Sequence, residues 1–162
     1  MVYLGRLLRK LRELQELSNS KVTLLSSKIA RKGYVFIHEG GAKECEKCPF
    51  RKVCIESLEN GRVYEVVKVR DKKHYCKLTE GEVVVVEVKP AKIDVAIEAK
   101  KAIEGIIVSY RLKRCKEKCP NIVYCIPIGL KEGDRIKILK IFESLKCPKG
   151  EKLVKCSVQP LL

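Results

Sequence analysis

Tryptophan is absent from this 162-residue sequence, methionine occurs once and histidine twice. Glutamine (Gln15, Gln159) and asparagine (Asn19, Asn60, Asn121) are nearly as scarce. Few amide side chains beside abundant Lys, Glu, Val and Ile is the composition expected of a thermophile protein. Long apolar runs are missing as well. The stretch EVVVVEV (82–88) stops after seven residues, far short of the roughly eighteen needed to span a bilayer. Arg6, Arg9, Lys10 and Arg12 interrupt any secretory apolar core. The expectation is a soluble, cytoplasmic protein with no membrane partner. Catalytic signatures are also lacking: there is no G-x-G-x-x-G, P-loop, H-E-x-x-H or G-x-S-x-G. Gly40-Gly41 has no Lys-Ser/Thr neighbour to make a phosphate cradle. The sequence reads as non-enzymatic. Its hydrophobic content of 46% nonetheless excludes disorder and supports a packed core.

Against these scarcities stand nine cysteines and a formal charge of +15. Thermophiles tend to shed cysteine, so the nine need a reason. Cys48, Cys54 and Cys76 recur 71 residues later as Cys119, Cys125 and Cys147, and Cys45 and Cys115 differ by 70. The surrounding text agrees, since CEKCPFRKVC (45–54) matches CKEKCPNIVYC (115–125). After each third cysteine come a Gly and a β-branched run, GRVYEVVKV (61–69) and GDRIKILKI (133–141), then the fourth cysteine. Equal offsets with matching neighbours mark an internal duplication.

Further β-branched stretches read as strands: Lys21–Leu25, Tyr34–His38, Val83–Lys89, Ile106–Arg111 and Lys152–Val158. Ser26 or Ser27 is placed to cap a short helix ending at Gly33. In residues 1–17, Tyr3, Leu4, Leu7, Leu8, Leu11, Leu14 and Leu17 form one helical stripe. The expected fold class is therefore α+β, mostly β. It comprises two duplicated four-cysteine β modules, residues 21–90 and 91–162, forming one pseudo-symmetric unit, with an N-terminal amphipathic helix in residues 1–20. That helix offers a surface for a protein partner, or packs on the β body, the commoner outcome.

Four thiolates delivered by a short loop and a distant strand suit a soft metal or an iron–sulfur cluster. The expected ligands are Cys45, Cys48, Cys54 and Cys76 for one centre, and Cys115, Cys119, Cys125 and Cys147 for the other. Zinc ribbons usually supply two C-x2-C knuckles per site. Each module here has one close pair, then a longer gap, then a far cysteine. With Pro49 and Pro120 after the second cysteine, a four-iron cluster (4Fe-4S) is preferred over zinc, and both over disulfides. Exchange of the fourth ligand between modules stays open, as in two-cluster ferredoxins. Cys156 alternates with Val154 and Val158, opposite Val85 in the 71-residue arithmetic, and reads as a buried thiol. His74 reads as a polar residue in a turn over Asp71–Tyr75, and His38 as a strand-end residue without a ligand role.

Charge follows the cysteines. Residues 21–80 carry +6 and residues 111–162 carry +8, whereas 81–110 carry −1. Arg51, Lys52, Arg70, Lys72 and Lys73 flank the first module's cysteines, and Arg111, Lys113, Arg114, Lys116 and Lys118 flank the second's. These are the candidate nucleic-acid-binding residues, because a metal-ordered loop presents cations to phosphates without a further ordering cost. Tyr34, Tyr64, Tyr75, Tyr110 and Tyr124 offer stacking faces. No RNP-like or recognition-helix motif accompanies them, so contact with RNA structure or the ribosome is expected in place of base reading. Two four-thiolate centres would lower the net charge to about +11. A redox accessory protein, steered by its basic faces to an acidic partner enzyme, is the alternative.

The text also resembles a small family of archaeal cysteine-rich proteins whose biochemistry is unassigned. ECEKCPFRKVC (44–54), GRVYEVVKVRDKKHYC (61–76), AIEAKKAIEG (96–105) and CPNIVYCIPIGLKEGD (119–134) carry the likeness, and residues 1–20 lie outside it. The resemblance implies an archaeal source and a metal or iron–sulfur role.

Overall fold

The structure, a computed structural model, describes residues 20–162. The chain divides into two compact units, Met1–Lys89 and Pro90–Leu162. In the first, strands β1 (Lys21–Ser26), β2 (Val35–His38), β3 (Arg62–Cys76) and β4 (Gly81–Pro90) form a sheet of order β1-β4-β3-β2. The second repeats this with β5 (Ile93–Glu98), β6 (Ile107–Ser109), β7 (Arg135–Leu145) and β8 (Leu153–Pro160), ordered β5-β8-β7-β6. The pairs β1–β4, β2–β3, β5–β8, β6–β7 and β7–β8 are antiparallel.

Period-two patterning explains the cores. In the first unit Val84, Val86 and Val88 of β4 meet Tyr64 and Val66 of β3 over Leu58. Each buried aliphatic side chain of this kind contributes about 1.5–3 kcal/mol. The Tyr64 hydroxyl accepts the Glu59 N–H at 3.0 Å, which satisfies the ring's polar end. In the second unit Ile93, Val95 and Ile97 of β5 join Ile136, Ile138, Cys156 and Val158. Cys156 thus takes the inward register of Val84, Val86 and Val88. Val85 lies outside that cluster, so the 71-residue arithmetic slips by one position here.

The duplication extends to single hydrogen bonds. Gly33 N–H donates to Val66 C=O and Gly105 N–H to Ile138 C=O, both at 2.8 Å. Gly61 N–H donates to His38 C=O at 2.7 Å, and Gly133 N–H to Tyr110 C=O at 2.9 Å. The four glycines have φ between +79° and +87°, a region that L-side chains avoid. Across these pairs the spacing is 72 residues, from Gly33 to Gly105 and from Gly61 to Gly133.

Several expectations are corrected. The described residues are β rather than α+β: their helices amount to α1 (Ile122–Cys125), a π-turn Lys52–Glu56 and 3-10 turns Lys43–Cys45 and Ala99–Lys101. The chain divides between Lys89 and Pro90, and each sheet closes over a hydrophobic cluster of its own. The segment expected to form an N-terminal amphipathic helix lies, but for Ser20, outside the described residues. No helix forms between Ser26 and Gly33; Ser26 Oγ accepts the Lys28 N–H and Gly33 is pinned to β3. Asp71–Tyr75 is not a turn but part of the long strand β3. Strand β5 was missed, although Ile93, Val95 and Ile97 carry the alternation that announces it. No helix among the described residues is long and apolar enough to cross a membrane.

Candidate metal centres

In the first unit Cys45 ends the 3-10 turn Lys43–Cys45, Cys54 sits in the π-turn and Cys76 is the last residue of β3. Backbone bonds chain the loop together, Cys48 N–H to Cys45 C=O at 3.2 Å and Cys54 N–H to Phe50 C=O at 2.7 Å. Gly41 keeps this approach free of crowding: a Cβ there would stand 3.2 Å from Cys45 Cβ and 3.3 Å from Ile55 Cγ1, a tight contact that the neighbours would have to relieve. The turn is tethered to β1 by polar side chains. Thr23 Oγ1 donates to Cys54 C=O at 2.9 Å and Ser57 Oγ to Val22 C=O at 2.8 Å.

Burial pushes the Cys54 thiol pKa up, and repulsion from Cys45, Cys76 and Cys48 adds to it. Cys54 therefore lies within electrostatic reach of the other three thiols of the first module. At Cys76, burial also acts upward. Hydrogen bonds from the Thr79 N–H, the Thr79 hydroxyl and the Leu78 N–H outweigh it and hold the pKa below the ordinary thiol value. Such amide donors stabilise a thiolate as they would any anion. Cys45, Cys48 and Cys76 border a cavity of about 250 Å³ that is walled by Pro49, Phe50, Tyr75 and Leu78. His74 is turned onto Phe50, with ring centroids 4.2 Å apart.

In the second unit Asn121 N–H donates to Cys119 Sγ at 3.4 Å. Asn121 Nδ2 donates to Lys146 C=O at 3.0 Å and ties the loop to the segment that delivers Cys147. Cys125 closes α1 and is buried with Ala96, Leu145 and Leu153, with Ile122, Tyr124 and Cys147 packed around them. Burial pushes its thiol pKa up; the Lys113 charge opposes this, and Cys115, Cys147 and Cys119 reinforce it. Cys54 and Cys125 are thus each within electrostatic reach of the other three thiols of their module. Among the described residues, however, no three His, Cys, Asp or Glu side chains stand in the arrangement a single metal ion requires.

Sequence reasoning missed two residues that hold these turns. His38, 6% exposed, has Nε2 3.1 Å from Ile55 C=O, the carbonyl next to Cys54. Tyr110, 4% exposed, donates from its hydroxyl to Cys125 C=O at 3.2 Å. The two occupy equivalent places, each with its own C=O accepting from Gly61 or Gly133. An offset of 72 in place of 71 would have aligned them.

A family model described as "Uncharacterised protein family (UPF0179)" matches residues 21–158. The chain belongs to UPF0179. A UPF0179 protein of Methanocaldococcus jannaschii is 40% identical over 142 residues, covering 86% of this chain and 94% of the relative. One from Methanothermobacter thermautotrophicus is 39% identical over 143 residues, covering 86% and 97%. A third, from Methanosarcina acetivorans, is 40% identical over 142 residues, covering 85% and 95%. No solved structure matches the chain. The resemblance carried by the cysteine text is borne out: the UPF0179 relatives are archaeal, and residues 1–20 fall outside the family match.

The candidate phosphate-binding side chains of this UPF0179 chain fall into two groups. Arg51 pairs with Glu56 and Lys73 with Glu82, each at 2.9 Å. Arg70 pairs with the buried Glu87 at 2.9 Å, and Lys113 is ion-paired with Glu151. Lys52, Lys72, Arg111, Arg114, Lys116 and Lys118 are exposed, and four of these six belong to the second unit. Among the five tyrosines proposed as stacking faces, Tyr75 alone is exposed, at 68%. Tyr64 and Tyr110 are core residues, and Tyr124 lies under Lys155 Nζ at 4.8 Å.

Proposed function

We propose that this chain is a non-enzymatic cytoplasmic protein that holds two cysteine-ligated centres and presents basic side chains to RNA or the ribosome. The observation that supports the reading is that in each module the third thiol, Cys54 or Cys125, lies within electrostatic reach of the other three, with backbone N–H groups aimed at Cys76 and Cys119. Cys45, Cys48, Cys54 and Cys76 would hold the first centre; Cys115, Cys119, Cys125 and Cys147 would hold the second. An iron–sulfur cluster remains preferred over zinc. That preference rests on the cysteine spacing, one close pair, a longer gap and a far cysteine in each module. Such a centre supplies folding stability, and, if it is a cluster, one-electron chemistry.

The half-burial of Cys45, Cys48 and Cys76 supports a second reading, an electron-transfer accessory to a partner enzyme. A cluster this close to the surface is within reach of a docked protein. One preparation tests both readings. Protein purified without oxygen should be brown, contain iron and sulfide for two clusters, and bind RNA at low salt with an affinity that falls steeply as salt rises. Reversible reduction without RNA binding would favour the electron-transfer reading. A colourless protein with two zinc ions would end it and leave zinc as the structural metal. Empty thiols would overturn both.

A further inference from the structure

Strands β5 and β6 are the two edges of the second sheet, so each leaves one side of its backbone without a strand partner in that sheet. Two cavities lie along these edges. One, of about 390 Å³, is bounded by Ile97, Val108 and Ile136 below and by Lys101 and Arg111 at its rim. The other, of about 500 Å³, is bounded by Lys100, Lys152, Glu151 and Ala99. Glu98 and Lys113 border both, so the two cavities adjoin at these side chains and together make up a β5–β6 groove.

The charge of this groove is one-sided. Lys100, Lys101, Arg111, Lys113 and Lys152 face Glu98 and Glu151, the two carboxylates that line it. Both carboxylates are already engaged, Glu98 by Lys101 at 2.9 Å and Lys100 at 3.4 Å, and Glu151 by Lys113. Cationic charge is left over, and a polyanion is the ligand that would use it. The floor is aliphatic, and the ring of Tyr110 is buried with its hydroxyl given to Cys125 C=O. No exposed aromatic ring lines the groove, so base stacking has no platform here. Cavities of this size admit nucleotide-sized groups one at a time, not a duplex.

We propose that the β5–β6 groove of the second unit is the track for the phosphate backbone of single-stranded RNA, bound without base preference. The inference rests on the RNA-binding part of the proposed function and gives it a path. That path runs through Lys100, Lys101 and Lys152, none of which belongs to a cysteine loop. The region 81–110, nearly neutral in sequence, supplies two of these cations only because the fold sets them opposite Arg111 and Lys113.

The test measures binding of a fluorescent oligouridylate by the full-length chain over a salt series. The charge-neutral variant Lys100→Gln/Lys101→Gln/Lys152→Gln should bind about tenfold or more weakly at low salt. Its slope of log affinity against log salt should shrink by roughly 2, from about 0.7 per lost phosphate contact. Lys100→Arg/Lys101→Arg/Lys152→Arg should restore both. A control of equal charge in the first unit, Lys28→Gln/Lys32→Gln/Lys68→Gln, at exposed lysines outside the candidate phosphate-binding set, should keep most of the affinity. Equal losses in groove and control variants would overturn the proposal in favour of diffuse charge. Tighter capture of an acidic peptide than of the oligouridylate, by the same lysines, would overturn it in favour of a protein partner. Wild-type protein that binds no RNA at low salt would instead remove the RNA reading itself. Circular dichroism confirms that each variant is folded.

Discussion

The turn that carries the third cysteine is secured by different chemistry in the two units. In the first, Thr23 and His38 hydrogen-bond to the carbonyls of Cys54 and Ile55, Ser57 donates to those of Val53 and Val22, and burial is partial. In the second, Cys125 is buried in an aliphatic cluster with Ala96, Leu145 and Leu153, and Tyr110 contributes the polar tether. The backbone frame is shared down to its glycine-donated bonds, while the side chains that brace it have diverged. What the duplication holds in common is the placement of thiols on a strand-and-turn frame. The bracing is interchangeable because a hydrogen-bonded tether and a packed apolar contact contribute comparably, about 1 kcal/mol and upward each.

The largest effect should come from removing the third thiol. Cys54→Ser and Cys125→Ser should each lose one centre, so that bound metal falls to about half of the wild-type content on elemental analysis. Cys125→Ser should also unfold at a lower temperature than Cys54→Ser, because it places a hydroxyl in a packed cluster. Full metal content in either variant would break the assignment of four ligands per unit.

A smaller effect, confined to one unit, separates His38 from Tyr110. Burial holds the His38 pKa below 6.5, with the Ile55 carbonyl opposing. The folded state therefore favours neutral His38, while the unfolded chain takes up a proton near pH 6.5. The stabilisation is present above that value and is lost as pH falls through the region below it. Tyr110, pushed up to about 12 chiefly by burial, keeps its proton throughout. Between pH 7 and 5, hydrogen-exchange protection relative to the intrinsic rate should fall in β2 more than in β6, and His38→Tyr should remove the difference. Equal loss of protection in both strands, or a difference that survives His38→Tyr, would show that the histidine is not responsible.

The smallest effect is expected at Cys156. Its thiol is fully buried and its pKa is raised to about 11, mainly by burial with a contribution from Glu104. Replacement by valine, which makes its inward register like that of Val84 and Val86, should cost less than about 1.5 kcal/mol. Metal content should be unchanged. A loss of metal in Cys156→Val would mean that the ninth cysteine serves a centre after all.

Much of the frame was legible because strands and cysteine loops announce themselves locally. Val84, Val86 and Val88 alternate in the text as they do in the sheet, and the cysteine spacings mark both loops. Bracing was not legible, since His38 and Cys54 are sixteen positions apart in a single text with no partner signal. Ion pairing was equally hidden. Nothing local distinguishes Arg70, committed to buried Glu87, from the exposed Lys72 beside it.

By itself, then, the sequence determined the duplication, the two sets of four thiols and most of the strands, because these depend on residue type and short-range period. The tertiary structure decided which thiols are buried, what braces each turn, and which cations stay exposed. It also decided that two units form and that Lys100 and Lys101 share a groove with Arg111 and Lys113. Those outcomes depend on contacts between residues far apart in the chain. Sheet order alone brings them together, and no local pattern encodes it.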